Sequence, residues 1–345
     1  MGIIGIYGAT GFIGRHLVRR LVSRGLRVRA VSRSIPDGFR REFDGRCEMV
    51  VADLGDAEAL EPTFDGLDTA INLVANARPA QGNAAVREDV QAGILPGIGF
   101  LERLTARSVP RLIFLSSGGA IYGPDVPVPT PESALPRPIN SYGLSKLTLE
   151  KYIEMFGYEH GTDYTILRLS NVYGPGQMVR SGQGLVPAIL GRCRTGAPID
   201  ILGDGSARRD YVWIGDVIAA IEAVLDRGAP QSTLNIGSGR AHSVTEVIAM
   251  IERVLGHALP KRNVPGRVTD VPHSVLDITR ARSVLGWSPR KELSDGLAAV
   301  VAAELPFARL QPVFGTAERL PRLAPLRPGR RGSGAATAAV RRSAS

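Results

Sequence analysis

A tyrosine stands four residues ahead of a lysine, Tyr142-Gly-Leu-Ser-Lys146, in a chain with eight tyrosines and only four lysines (Lys146, Lys151, Lys261, Lys291). At those frequencies the spacing arises by chance about 0.1 times, so the pair is worth reading as chemistry. A phenol with a pKa of about 10 is a poor base near neutrality. A cation one helical turn away favours the tyrosinate and lowers that value. The chain also opens with Gly8-Ala-Thr-Gly11-Phe-Ile-Gly14. This run follows apolar residues 2–7, short enough for a buried parallel strand. It precedes helical spacing over 12–24, with Ile13, Leu17, Leu21 and Val22 on one side. Glycines at a strand-to-helix turn permit a tight bend, close approach of a pyrophosphate and close helix–sheet packing. Without a ligand, the same residues make an ordinary Gly-rich turn.

The elements that must position these groups alternate along the first 170 residues. Candidate strands are 2–7, 27–31, 47–51, 68–74, 111–116 and 163–169; candidate helices are 12–24, 56–61, 85–106 and 141–160. That alternation predicts an α/β fold, a doubly wound parallel sheet of Rossmann type forming a dinucleotide-binding domain over residues 1–170. Beyond it the pieces shorten. Helices near 182–194, 215–227, 243–255 and 293–303 and strands near 199–202 and 232–236 predict a smaller mixed substrate domain over 171–304, with some chain exchanged between the two.

The strand Leu112-Ile-Phe-Leu-Ser-Ser117 ends in two hydroxyls at the edge where open α/β sheets bind ligands. Tyr142 follows 25 residues later at a helix start, after the Pro-rich stretch 124–138. Ser117, Tyr142 and Lys146 are therefore expected around one point, as the catalytic set. Serine hydrogen-bonds a substrate oxygen, tyrosine shuttles its proton, and lysine biases the tyrosine while holding a cofactor ribose. The rival reading is a serine pair capping a turn beside a surface helix. The second strand ends Val31-Ser32-Arg33. An acid there would bond the adenosine ribose of NAD, whereas a small residue followed by arginine accepts the 2′-phosphate of NADP. The cofactor expectation is NAD(P), leaning to NADP, held at Gly8, Thr10, Gly11, Phe12, Ile13, Gly14, Ser32 and Arg33 together with Tyr142 and Lys146.

These motifs carry a resemblance. Gly8-x-x-Gly11-x-x-Gly14, Ser116-Ser117-Gly-Gly-Ala-Ile-Tyr-Gly123 and Tyr142-x-x-x-Lys146 resemble the extended short-chain dehydrogenase/reductase family, in particular its nucleotide-sugar epimerases and dehydratases. The likeness continues through Leu167-Arg-Leu-Ser-Asn-Val-Tyr-Gly-Pro-Gly-Gln177, Gly203-Asp-Gly-Ser-Ala-Arg-Arg-Asp-Tyr-Val212, Asn235-Ile-Gly-Ser-Gly239 and Leu276-Asp-x8-Leu-Gly-Trp287. It runs from residue 2 to about 303 in family order and is strongest to UDP-glucose 4-epimerase-type proteins.

The resemblance implies that Tyr142 takes a proton from the sugar 4-hydroxyl while a bound nicotinamide accepts hydride from C4. In an epimerase the ketosugar then turns over and hydride returns to its opposite face. Asp53-Leu54 is similar to the family's adenine-edge contact, or else Asp53 caps a helix. By position, Asn171 contacts the substrate diphosphate, or serves as a turn residue. Arg209 and Arg267 grip the nucleotide end, or are surface charges. The implied partner is a nucleotide sugar, UDP-linked, and the implied assembly a homodimer.

Three positions depart from the family pattern. Gly118 stands where many members place a hydroxyl, making Ser117 the nearest substitute. Ala92-Gly93 stands for an asparagine, and Gly97 for a threonine. A 4-ketosugar reductase drawing on NADPH would use the same residues. A dehydratase is disfavoured, because Gly118-Gly119 replaces its Asp-Glu pair. A non-catalytic cofactor-sensing protein of the same fold is the reading from another class.

Composition narrows the partners. The net charge is +9, but residues 305–345 hold eight arginines and one acid, Glu318. That leaves +2 for the rest, which argues against a nucleic-acid surface. The same stretch is rich in Pro, Ala, Gly and Ser and is expected to be a disordered basic tail, dispensable for chemistry. No apolar run nears the roughly 20 residues of a membrane helix, and no basic-then-apolar leader precedes the first strand. Two cysteines, Cys47 and Cys193, suit neither a disulfide framework nor a metal site. A reduced cytoplasm is the expected location.

Overall fold

A computed structural model of the chain describes residues 2–75, 86–178, 184–266 and 271–305. Arg267 and the arginine-rich stretch beyond Leu305 lie outside the described residues.

The first half alternates as its apolar runs dictate. Strand β1 (Ile3–Tyr7) leads to α1 (Phe12–Ser23), β2 (Val28–Ser32), α2 (Asp37–Phe43), β3 (Glu48–Val51), α3 (Ala57–Leu60) and β4 (Leu67–Asn72). Next come α4 (Val86–Asp89), α5 (Leu95–Ala106), β5 (Arg111–Ser117), α6 (Gly118–Ile121), α7 (Ser141–His160) and β6 (Asp163–Leu169). The second half holds β7 (Asn171–Tyr173), α8 (Leu185–Thr195), β8 (Ile199–Leu202), β9 (Arg208–Trp213), α9 (Ile214–Arg227) and β10 (Ser232–Ile236). It ends with β11 (Ala241–Ser243), α10 (Val244–Leu255), β12 (Lys261–Val264), β13 (His273–Ser274), α11 (Thr279–Leu285) and α12 (Leu293–Glu304).

Seven strands form one parallel sheet in the order β10-β6-β5-β4-β1-β2-β3. Strand order reverses between β1 and β4, so the crevice for a ligand opens at the carboxyl ends of those two strands. Leu17 and Leu21 of α1, with Val217 and Ile221 of α9, pack on one face beside Ile6 and Ile113. Phe100 and Leu104 of α5 and Ile153 of α7 pack on the other beside Phe114 and Ile166. Such two-sided burial explains why the strands read as continuous apolar runs rather than alternating ones. Strand β10 comes from the second half yet pairs with β6 at the sheet edge. A separate cluster joins Ile189 and Leu190 of α8, Ile251 of α10 and Leu297 of α12 over β8 and β9.

The structure corrects some expected boundaries. The helix expected over 85–106 is interrupted, with a wide π-turn at Val90–Ile94 between α4 and α5. Pro96 lies in the first turn of α5, where its missing N–H breaks the regular ladder. Strand β9 begins Arg-Arg-Asp, a polarity that hides a strand from an apolar pattern, yet Asp210 within it is fully buried. Helix α2 was not anticipated; its Phe39 and Phe43 are buried one turn apart. No helix among the described residues is long and apolar enough to cross a membrane.

Candidate active site

The glycine run sits where β1 turns into α1, and each glycine has a different reason to be there. Gly8 has φ +87°, in the left-handed region that favours glycine, and its N–H bonds Val31 O at 2.9 Å. A Cβ on Gly14 would lie 2.3 Å from Gly8 O and 2.7 Å from Ala9 O, so α1 rests directly on the turn. Gly11 has an ordinary φ of −70°, and its Cβ would meet only Gly8 O, at 3.1 Å. The fold could nearly accept a side chain there, so what Gly11 keeps open is the approach to the turn. No side chain caps the start of α1 and no acid lies in its first turn. Its leading N–H groups thus remain for an anion, reinforced by the helix's positive end. This cradle fits a dinucleotide's pyrophosphate.

Around it, Thr10 N donates to Ser32 Oγ at 3.1 Å, and Ser32 is buried. Arg33 projects outward, its Nε 3.6 Å from Asp53 Oδ2. Asp53 is not the helix cap; that role falls to Asp56, which accepts from Ala59 N at the start of α3. Phe12 packs edge-on against His16 at 5.6 Å, and Ile13 lies against the main core. The side chains of both are engaged in packing.

Helix α7 brings the tyrosine and lysine to the carboxyl end of β5. Asn140 caps it, Oδ1 accepting from Gly143 N at 2.8 Å. Gly143 lets it press on α6, since a Cβ there would stand 2.3 Å from Ala120 O. Tyr142 is half-buried and hydrogen-bonded to the Ser117 hydroxyl. Burial raises its phenol above the ordinary value, and the Ser117 bond pulls it part of the way back. This corrects the expectation that Lys146 lowers the phenol. The lysine Nζ instead donates to Leu115 O at 2.8 Å and Val74 O at 3.2 Å, 4.6 Å from the Phe114 ring centre. Burial takes the Lys146 ammonium down to about 8, against an opposing pull from Glu150 one turn along α7.

Tyr142 and Lys146 line a cavity of about 30 Å³ with Leu54, Asn72, Val74, Phe114, Ser145 and Leu149. Leu54, Tyr142 and Lys146 are thereby brought together. Asn72, Val74 and Ser145 were missed by motif, although Asn72 ends β4 beside the strand-order reversal, where a ligand crevice is expected. A groove of about 660 Å³ elsewhere, between α1, α9 and α11, contains none of the chemistry-bearing residues. Its arginines Arg20 and Arg24 already pair with Glu222 and Asp226.

The departures from the family pattern are packed around rather than left as gaps. A Cβ on Gly118 would lie 2.7 Å from Leu276 Cδ1, and one on Gly97 would lie 2.4 Å from Leu149 Cδ2. Leucine methyls occupy the space where larger side chains would stand, and the hydroxyl facing Tyr142 comes from Ser117. Gly93 and Gly97 also line the cavity.

The second half contributes through a buried acid that sequence reading missed. Asp210 Oδ1 accepts from Ser238 N (2.7 Å), Ser238 Oγ (2.7 Å) and Ser170 Oγ (3.2 Å), while Oδ2 accepts from Gly239 N (3.1 Å) and Leu276 N (3.3 Å). Burial raises its carboxyl, opposed by these bonds. Asn171 is exposed and donates to Asp210 O at 3.0 Å, and Arg209 donates to Arg208 O at 3.0 Å. Asn171 and Arg209 therefore flank one buried hub that also fixes Leu276 against Gly118. A second network anchors α7. The Glu150 carboxylate accepts from Arg168 at 2.6 Å, with both side chains almost wholly buried. Arg168 also donates to the Tyr122 hydroxyl, which donates to Asn235 Oδ1. The acid four residues past Lys146 was the available signal.

This fold and these motifs match known proteins across most of the chain. Residues 4–237 match the NAD dependent epimerase/dehydratase family. The chain belongs to that family. The Thermotoga maritima UDP-glucose 4-epimerase, solved with UDP-glucose, superposes with a TM-score of 0.83 at 33% identity, covering 88% of this chain and 99% of that one. A Thermus thermophilus UDP-glucose 4-epimerase, solved with NAD, gives 0.79 at 29% identity with the same coverage. A dTDP-4-dehydro-6-deoxyglucose reductase from Escherichia coli is 30% identical over 306 residues, 85% of this chain and 94% of that protein. Membership in a nucleotide-sugar epimerase/reductase family is thus established, with relatives of both reaction types.

Proposed function

We propose that this protein is an NAD(P)-dependent nucleotide-sugar 4-epimerase acting on a UDP-linked sugar. The observation that carries the reading is the Ser117–Tyr142 hydrogen bond beside buried Lys146, at the carboxyl edge of the sheet next to the glycine cradle. Gly8, Gly11 and Gly14, with the leading N–H groups of α1, would hold the dinucleotide pyrophosphate, and Leu54 the adenine edge. A bound nicotinamide supplies hydride exchange at sugar C4.

The protein's own groups manage the proton. Tyr142 would first take the proton of the sugar 4-hydroxyl as hydride leaves C4, a step that works against the burial of the phenol and draws on the positive charge of Lys146 one turn away. The neutral phenol that burial favours then returns that proton to the 4-keto oxygen as hydride comes back. Ser117 shares the phenol's hydrogen bond and so can orient both it and the sugar oxygen. Asn171, Arg209 and Arg267 would meet the nucleotide diphosphate. On this reading residues 1–170 bind the cofactor and 171–304 the substrate, with β10 returned to the first sheet. The arginine-rich stretch takes no part.

A homodimer is supported by an apolar stripe. Leu144, Met155 and Tyr158 on α7 and Leu95 on α5 are large, exposed side chains on two helices that pack side by side. Sedimentation of the full chain tests this.

A nucleotide-4-ketosugar reductase is the second reading, favoured by the absence of an acid after β2, where Ser32 is followed by Arg33. A panel of UDP- and dTDP-sugars separates the two. Epimerisation without added reductant supports the first, and NADPH consumption only with 4-keto sugars supports the second. In either case Tyr142→Phe should cut turnover at least about 100-fold with dinucleotide binding kept. A near wild-type rate in that variant would refute the mechanism.

A further inference from the structure

The loop after β2 carries an ion pair that bears on which dinucleotide the site accepts. Thr10 N bonds Ser32 Oγ at 3.1 Å and Thr10 Oγ1 bonds Ser34 O at 3.2 Å, so Ser32-Arg33-Ser34 is stitched to the glycine turn. From this fixed loop the Arg33 side chain, 69% exposed, reaches Asp53, its Nε 3.6 Å from Oδ2. The other carboxylate oxygen accepts from Gly55 N at 2.9 Å, which holds Asp53 in place. Among the described residues Arg33 has no other ion-pair partner.

We propose that Asp53 tunes dinucleotide choice, its carboxylate competing with an adenosine 2′-phosphate for the Arg33 guanidinium. This rests on the reading that the glycine turn holds NAD(P). A guanidinium matches a phosphate through two parallel hydrogen bonds, so Arg33 is the group to which a 2′-phosphate would bind. To reach it, the phosphate displaces a carboxylate that also repels it. An ordinary ribose hydroxyl meets neither effect. Because the pair is exposed it is weak, and the gate shifts a ratio rather than excluding one dinucleotide. Aspartate at this position therefore pulls a site otherwise suited to NADP back toward use of both.

The test is calorimetric titration of the full chain with NAD and NADP separately, after exchange of any co-purified dinucleotide. Asp53→Asn keeps an oxygen for Gly55 N–H and removes the charge. It should raise the ratio of NADP to NAD affinity about 3- to 10-fold, any loss at the adenine edge being common to both dinucleotides. Adding Arg33→Ala should abolish the gain, and high salt should shrink it. An unchanged ratio in Asp53→Asn, with both dinucleotides moving by the same factor or not at all, would overturn the gate while leaving the glycine-turn reading intact. Failure of the wild type to bind either dinucleotide would overturn both.

Discussion

Lys146 should be a residue the fold would rather not contain. It is buried, and its ammonium falls from an ordinary 10.5 to about 8. That difference corresponds to about 3 kcal/mol lost to the folded state wherever both states carry the proton. Lys146→Met keeps an apolar stem of similar shape and deletes the charge. It also deletes the hydrogen bonds to Leu115 O and Val74 O, at about 1 kcal/mol each. The net expectation is a variant more stable than wild type by about 1 kcal/mol at pH 7, with turnover abolished. The sign of the pH dependence follows from proton counting. Between about pH 8 and 10.5 the unfolded chain keeps a proton on Lys146 that the folded protein has released, so wild-type stability gains as pH rises through that window. Below about 8 both states are charged and the full penalty stands. Urea denaturation of both proteins at pH 7 and 9.5 reads this directly. The difference between them should move by about 2 kcal/mol in favour of the wild type on going to pH 9.5, whatever other groups titrate in common. A variant less stable than wild type at pH 7, or a difference that stays constant with pH, would refute the assignment of a strained, desolvated ammonium.

Gly14→Ala forces α1 off the turn, since its Cβ would stand 2.3 Å from Gly8 O; the cost should be about 1–3 kcal/mol in a melt, with dinucleotide binding lost by calorimetry. Glu150→Gln leaves Arg168 buried without its countercharge and should lower stability by about 3–5 kcal/mol in urea titrations. A change below about 1 kcal/mol would mean that the pair is hydrated. Ser117→Ala removes the bond that lowers the Tyr142 phenol, so the pH–rate limb set by that group should move upward, with turnover reduced about 10-fold. A rate loss with an unmoved pH profile would separate Ser117 from the phenol's titration.

Local patterns announced the parallel sheet, the glycine turn and helices α7, α8, α9, α10 and α12, but not α11. Each is specified by contiguous residues: apolar runs for buried strands, a capping box at Ser243 and Glu246 opening α10, Asn140 capping α7. The Tyr142–Lys146 pair was equally legible, because i and i+4 on one helix are neighbours whatever the rest of the chain does. Strand β9 escaped because Arg208, Arg209 and Asp210 read as loop residues. The polarity of Asp210 is tolerable in the core only because Ser170, Ser238, Gly239 and Leu276, distant in sequence, all donate to it.

The sequence by itself determined the fold family, the glycine turn between β1 and α1 and the side chains that are candidates for the chemistry. These depend on short-range geometry and on backbone freedom that particular residues confer. Only the tertiary structure decided how those side chains are charged and partnered. Lys146 donates to two backbone carbonyls while burial raises the phenol, Leu276 and Leu149 take up the room beside Gly118 and Gly97, and Arg33 meets Asp53 of the loop after β3. Burial and through-space electrostatics come from residues 20 to 160 positions away, and no local pattern encodes which of them will arrive.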